Sequence, residues 1–283
     1  MNLVKIRAYA KLNLTLDMCG KREDGYHLID SVMMSADPCD LITLERADGI
    51  TVSCSDGELS GQDNIAFKAA KSFFEYTLIK GGAQIYIEKH IPQAAGLGGG
   101  SSDAAAVIRG LDTMYSTELS ASQLCEIALK VGADVPFCVF GGTARVGGIG
   151  EIIEPINTPK EMYLVIAKNG TKGSTKEMYN RLDSGDVFHA PTTEAAIAAI
   201  KNNDYMALNK NISNAFASVS GLYGMEEHFR YTHPDAVSLS GSGPSVFATY
   251  LNEEDAKTAY DYINGLGIEC YLARPQQKGI IID

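Results

Sequence analysis

Five consecutive residues, Gly96-Leu97-Gly98-Gly99-Gly100, constrain this 283-residue chain more than any other stretch. An alternating segment, Ala83 to Glu88, leads toward them with Ile85 and Ile87 on one face, and Pro92 stops it. Behind them Ser101-Ser102-Asp103 opens a run in which Ala104, Ile108, Leu111 and Tyr115 recur at three- and four-residue spacing. The spacing predicts a buried helix beginning at the serines. Successive glycines carry no Cβ, so their N–H groups can turn toward one point. A helix start behind them adds unpaired donors and the positive end of the helix dipole. Strand, glycine turn and helix start together predict a phosphate cradle. Two common cradles are excluded: Ser101 stands where a GxxxxGK[ST] loop needs its lysine and where GxGxxG needs its third glycine.

Elsewhere the chain reads as alternating short strands and helices. Ala10 to Met18 alternates with Leu12, Leu14, Leu16 and Met18 on one face and Lys11, Asn13, Thr15 and Asp17 on the other, which predicts a half-buried strand. A turn rich in charge and glycine, Gly20 to His27, follows it. Helices are expected over Gln62 to Tyr76, with Asp63-Asn64 as its cap, and over Ala121 to Val131, closed by Gly132. Asp134 then stands alone in the apolar run Val135 to Phe140, and a carboxylate there needs a cation, hydrogen bonds or a chemical task. Gly141 to Gly150 reads as strand ends and turns. Beyond a break near Pro155 to Pro159, strands are expected at Tyr163 to Ala167, Ala236 to Leu239, Val246 to Tyr250 and Ile268 to Leu272. Helices are expected at 193–201, 206–216, 221–231 and 253–263. A glycine loop at Ser240 to Ser245 separates two of the strands.

Net charge is −11, which disfavours a nucleic-acid surface, so an anionic ligand needs a local concentration of positive groups. The six cysteines show no CxxC and no ladder of spacings, and read as reduced residues. No segment reads as a signal peptide or a membrane span, so a cytoplasmic protein without a membrane or nucleic-acid partner is expected, as monomer or homodimer.

The motif PxxxGLGGGSSDAA resembles the central motif of the GHMP small-molecule kinases, and LSGSGPSVFA resembles their third motif. The pairing of AKLNLTL with DGYH is similar to the first motif of the branch that phosphorylates a cytidine diphosphate sugar alcohol of the non-mevalonate isoprenoid route. The resemblance implies an α+β, two-domain fold. Its N-terminal part (1–157) would be like ribosomal protein S5 domain 2 and its C-terminal part (158–283) a ferredoxin-like layer, with the site in the cleft between them. It implies ATP and Mg²⁺ as cofactors. Lys11 and Asp134 would be the catalytic pair, Asp134 as base or orienting group for an alcohol. The ATP contacts it implies are Asn64, Lys89, Pro92, Ala95, Gly96, Leu97, Gly98, Gly99, Gly100, Ser101, Ser102, Asp103, Gly241 and Gly243. The last two would bring backbone N–H groups to the phosphates, and the Ser102 hydroxyl would touch the metal. Asn13, Tyr26, His27, Met33, Thr175 and Tyr179 would contact the acceptor, with Tyr26 and His27 on its cytosine. A homoserine or mevalonate kinase, or a nucleotide-binding relative without activity, is the alternative.

Overall fold

The computed structural model describes residues 2–171, 174–185 and 189–283. The first half is a sheet covered by helices. Strand β1 (Leu3–Asn13) runs antiparallel to β3 (His27–Ala47), a 21-residue strand that also pairs with β2 (Thr15–Lys21). The β1–β3 register slips between Tyr9 and Ala10, passing over Asp37 and Pro38, where the proline has no N–H to give the ladder. Strand β4 (Thr51–Cys54) precedes α1 (Ile65–Thr77), whose N-cap Asn64 accepts from the Ala66 N–H. Strand β5 (Gly82–Glu88) then pairs with the second half of β3. Helices α2 (Gly99–Tyr115), α3 (Ala121–Val131) and α4 (Val135–Phe140) follow, then β6 (Thr143–Gly148) and β7 (Ile152–Ile156). Ala104, Val107, Ile108 and Leu111 of α2 pack with Ile6, Ile42, Leu44 and Ile85 of the sheet and with Phe73 and Ile127 of the neighbouring helices.

The second half begins with β8 (Tyr163–Lys168) and runs through α5 (Thr175–Ser184), α6 (Thr193–Lys201), α7 (Tyr205–Asn211), β9 (Ser213–Asn214), α8 (Ala217–Ser220) and α9 (Met225–Arg230). Strands β10 (Ala236–Leu239) and β11 (Ser245–Tyr250), helix α10 (Glu253–Gly265), and strands β12 (Glu269–Ala273) and β13 (Ile280–Ile282) complete it. Strands β8, β10, β11 and β12 form an antiparallel sheet in the order β10-β11-β8-β12. Helices enter after its first strand and before its last, the β-α-β-β-α-β arrangement of a ferredoxin-like layer.

Several sequence expectations need correction. The two helices expected over 206–216 and 221–231 are interrupted: α7 ends at Asn211, β9 intervenes, and Leu222 and Tyr223 both have positive φ. Helix α2 begins two residues before the serines. The strand expected over 10–18 is broken at Leu14, and its polar face is as buried as its apolar one, with Lys11, Asn13, Thr15 and Asp17 at 4%, 3%, 0% and 2% exposure. The cause is tertiary. Leu12 and Leu14 pack with Leu164, Ile166 and Phe247 of the second sheet. On the polar face Asn13 meets Ser31 and Gly241, Thr15 meets Thr193, and Asp17 accepts the Thr192 and Thr193 N–H groups, so both faces are covered. Division at residue 157 also leaves two later segments on the first sheet, since β13 pairs with β1 and β9 with β2. No helix among the described residues is long and apolar enough to cross a membrane.

Candidate active site

Two cavities lie side by side. The larger, about 400 Å³, is lined by Leu59, Asp63, Asn64 and Ile65 ahead of and at the start of α1, by Lys89 and Pro92 to Gly96, and by Gly98 to Ser101 and Asp103. The smaller, about 160 Å³, is lined by Lys11, Asn13, Leu16, Ile29, Met33, Asp134, Thr175, Tyr179, Phe216, Gly241 and Ser242. Gly96 and Gly98 belong to both walls. The glycine turn is therefore a partition, reached from either side.

Its geometry explains its composition at two positions. Gly96 has φ +81°, and a Cβ there would stand 2.2 Å from the Ser240 carbonyl oxygen. Gly98 has φ +68°, and its Cβ would meet Lys11 Cγ at 2.7 Å. Gly98 is also the N-cap of α2, and no side chain caps that helix, whereas α1, α3, α5, α7 and α10 each take a side-chain oxygen. The first-turn donors of α2 therefore stand at the cavity wall, where a ligand can take them.

Beside the partition, the Lys89 ammonium bonds Asp40 Oδ2 at 2.5 Å and Asp103 Oδ2 at 2.7 Å. Asp40 Oδ1 also accepts the His90 and Ile91 N–H groups, which fixes the chain entering the turn. Burial and the neighbouring Asp40 push the Asp103 carboxyl well above its ordinary range, to about 8, against the pull of Lys89. On the other side, Lys11 Nζ donates to Asn13 Oδ1 at 2.8 Å and stands 3.6 Å from Asp134 Oδ2. Lys11 is sealed at 5% side-chain exposure, but Asp134 is 43% exposed. The buried carboxylate that the apolar run suggested is thus an open one, because Asp134 sits at the N-cap of α4 rather than inside it. Tyr179 is kept a neutral phenol, pushed up to about 12 by burial and then by Asp134.

The remaining predicted residues divide. Pro92, Ala95 and Gly98 to Ser101 line the larger cavity, and Met33, Thr175 and Tyr179 the smaller one. Asn64 lines the larger cavity, yet spends its side-chain oxygen on the α1 cap and its amide on the Leu59 carbonyl. Leu97 is a core residue at 1% exposure. Ser102 is fully buried and donates to the Tyr9 carbonyl at 2.6 Å, so its hydroxyl is turned away from the phosphate side. Gly241 lines the smaller cavity, not the larger, and gives its N–H to Asn13, while Gly243 gives its N–H to Ser240. Those two donors are committed inside the protein, and the Gly241 bond ties the loop to Asn13. Tyr26 is 61% exposed, and His27 lies outside the cavity wall but stacks on Tyr179 at 4.4 Å and 19°. Asp183 holds both His27 Nε2, at 2.7 Å, and Lys21, at 2.9 Å. The sequence reading missed Asp40, Asn214 and Phe216, none of which lies in a quoted motif, and Ser240, which lies in LSGSGPSVFA but was given no role. No group of three or more His, Cys, Asp or Glu side chains that could hold a metal ion occurs among the described residues.

Residues 64–142 match the GHMP kinases N terminal domain. The chain is 40% identical, over 98% of its length and 98% of the other, to the 4-diphosphocytidyl-2-C-methyl-D-erythritol kinase of Alkaliphilus metalliredigens. The chain belongs to this kinase family. Identity to the Clostridium tetani 4-diphosphocytidyl-2-C-methyl-D-erythritol kinase is 39%, covering 96% of this chain and 99% of that one. A crystal structure of 4-(cytidine 5'-diphospho)-2C-methyl-D-erythritol kinase superposes with a TM-score of 0.81 at 28% identity, covering 95% and 98% of the two chains. A homoserine kinase from Cytophaga hutchinsonii shares the fold at a TM-score of 0.78 and 20% identity, covering 100% and 98%. The α+β GHMP kinase fold expected from the motifs is the fold observed.

Proposed function

We propose that the chain transfers the γ-phosphoryl group of ATP to the 2-hydroxyl of 4-diphosphocytidyl-2-C-methyl-D-erythritol, releasing ADP and the 2-phosphate, a step of the methylerythritol phosphate route to isoprenoid precursors. The observation that carries this reading is the shared wall: two cavities meet at Gly96 and Gly98, with Lys11 and Asp134 on one side. The triphosphate lies in the larger cavity, its oxygens on the N–H groups that open α2. The acceptor lies in the smaller one, its alcohol beside Asp134.

Phosphoryl transfer asks mainly for positioning and for compensation of charge. Asp134, partly open, orients the acceptor hydroxyl and takes its proton. Lys11, held by Asn13 and Asp134, keeps the carboxylate in place and offsets charge near the moving phosphoryl group. Tyr179, stacked on His27 and in edge contact with Phe216, gives the cytosine a neutral aromatic ring in the cavity that Met33 also lines. The described residues do not form a protein-held metal site, since Ser102 is committed to Tyr9, the Asp40 and Asp103 carboxylates by the cradle are shared by the Lys89 ammonium, and no group of three or more candidate ligands occurs among them. A Mg²⁺ arriving with ATP would supply compensation for phosphate charge that these residues do not hold in place.

Release of ADP from ATP decides between acceptors. Turnover with 4-diphosphocytidyl-2-C-methyl-D-erythritol, and none with homoserine or mevalonate, is expected. Turnover with homoserine or mevalonate alone would overturn the assignment.

A further inference from the structure

Asn214 lies in the two-residue strand β9, which no motif marks, yet its side chain uses both faces of its amide. Its nitrogen donates to the Leu239 carbonyl at 2.8 Å and to the Gly241 carbonyl at 2.9 Å. Its oxygen accepts the Phe216 N–H at 2.9 Å. The residue is 3% exposed, and β9 is clamped parallel to β2, Leu16 opposite Asn214. Two of these bonds, those to Gly241 and Phe216, lead into the acceptor cavity by different routes. Gly241 gives its own N–H to Asn13 Oδ1 at 3.0 Å, the same oxygen that holds the Lys11 ammonium. Phe216 lines the cavity and meets Tyr179 edge-on at 5.0 Å and 76°. One buried amide therefore joins the loop that braces Lys11 to the aromatic wall of the acceptor cavity.

We propose that Asn214 is a positioning residue for phosphoryl transfer, coupling the aromatic acceptor wall to the orientation of Lys11 through Gly241 and Asn13. This rests on the reading of Lys11 as the group at the transferred phosphoryl. The side-chain type fits the task. A carboxylate would face two carbonyl oxygens, and a serine would be too short to span three chain segments, leaving buried carbonyls unpaired.

The test is a double-mutant cycle with an independent structural readout. Asn214→Ser is expected to lower kcat about tenfold in the wild-type background. In a Lys11→Met background, with residual turnover followed by labelled phosphate, the same change is expected to cost less than about twofold, because the lysine it positions is gone. ATP affinity is expected to stay near wild type in both. Amide exchange at Gly241 should quicken in the variant while β1 and β3 amides stay protected. An undiminished loss in the Lys11→Met background, or unchanged exchange at Gly241, overturns the proposal. Asn214→Asp keeps the acceptor for Phe216 and reverses only the two donor contacts, so it serves where the serine variant fails to fold and is expected to show the same pattern. A wild-type protein inert on the cytidine acceptor would sink the functional reading and the catalytic part of the proposal with it, while exchange at Gly241 would still decide whether Asn214 holds the Gly241 loop to Asn13.

Discussion

The two cavities share a partition but are assembled in opposite ways. The nucleotide side comes mostly from two short stretches, 59–65 and 89–103, and its cradle is backbone. The acceptor side gathers single side chains from β1, β2, β3, the start of α4, helix α5, the residue before α8 and the loop after β10. Phosphate is met by N–H groups, which every residue but proline carries, so what the sequence must specify there is local conformation. A sugar alcohol and a base are met by side chains, so what must be specified is convergence, and convergence is tertiary. Loss of one acceptor-side group should therefore remove one function, whereas a change in the partition should disturb both.

The largest effect should follow from Asp134→Asn, with turnover falling by ~10²–10⁴, the range for a lost general base. ATP binding, titrated calorimetrically into the purified variant, should stay near wild type. Abolished ATP binding would place Asp134 on the nucleotide side and break the comparison. Next comes Gly98→Ala, where the added Cβ meets Lys11 Cγ at 2.7 Å and the backbone sits at φ +68°. Strain of roughly 1–3 kcal/mol at a left-handed position should lower both kcat and ATP affinity, each by about tenfold or more. Steady-state kinetics that moved only one of the two would show that the wall is not shared in function.

This contrast also accounts for what was legible beforehand. The glycine turn, the helix behind it and the strand before it could be read because their residue types carry local conformation: positive φ at Gly96 and Gly98, three- and four-residue spacing in α2 and alternation in β5, whereas the contacts of Gly96 with Ser240 and of Gly98 with Lys11 are tertiary. Lys11 and Asp134 could be read only through resemblance to a family, since nothing in either segment says that the two side chains stand 3.6 Å apart. Burial of the polar face of β1 and β2 was not legible, because Asp134, Thr192, Thr193 and Gly241, which meet it, stand far along the chain. Nor was Asn214, whose partners Phe216, Leu239 and Gly241 become neighbours only after folding. Commitment of the Gly241 and Gly243 N–H groups inside the protein was likewise hidden, since a glycine loop looks the same whether its donors meet phosphate or Asn13.

A smaller effect separates the cavities by substrate. Tyr179→Leu keeps an apolar side chain but removes the ring on which the base is read to stack. It should raise the acceptor KM roughly tenfold, in line with the usual worth of one base–aromatic stack. The ATP KM should not move. Parallel rises in both constants would mean that α5 supports the partition as well as the acceptor wall, and the two sides would then be coupled more tightly than their construction suggests.

The smallest effect concerns the nucleotide wall alone and is read in stability rather than turnover. Asp103 shares the Lys89 ammonium with Asp40, and its Oδ1 is buried without a hydrogen-bond partner. Burial first, and then Asp40, push its carboxyl up in the folded protein, to about 8, from an ordinary value of 3.8. Between those limits the folded chain holds a proton that the unfolded chain has released, so stability declines as pH rises through this window and levels off above it. Asp103→Asn imitates the protonated form and has nothing to release. Thermal midpoints at acid, neutral and mildly alkaline pH should show the wild type losing a few degrees relative to the variant as pH rises, since about 1 kcal/mol is worth a few degrees in a chain of this size. Other titrating groups are common to both proteins and cancel in the difference. Parallel curves would mean that Lys89 keeps both carboxylates ionised, and the nucleotide wall would then carry a buried net negative charge beside the triphosphate, where the acceptor side places its carboxylate in the open.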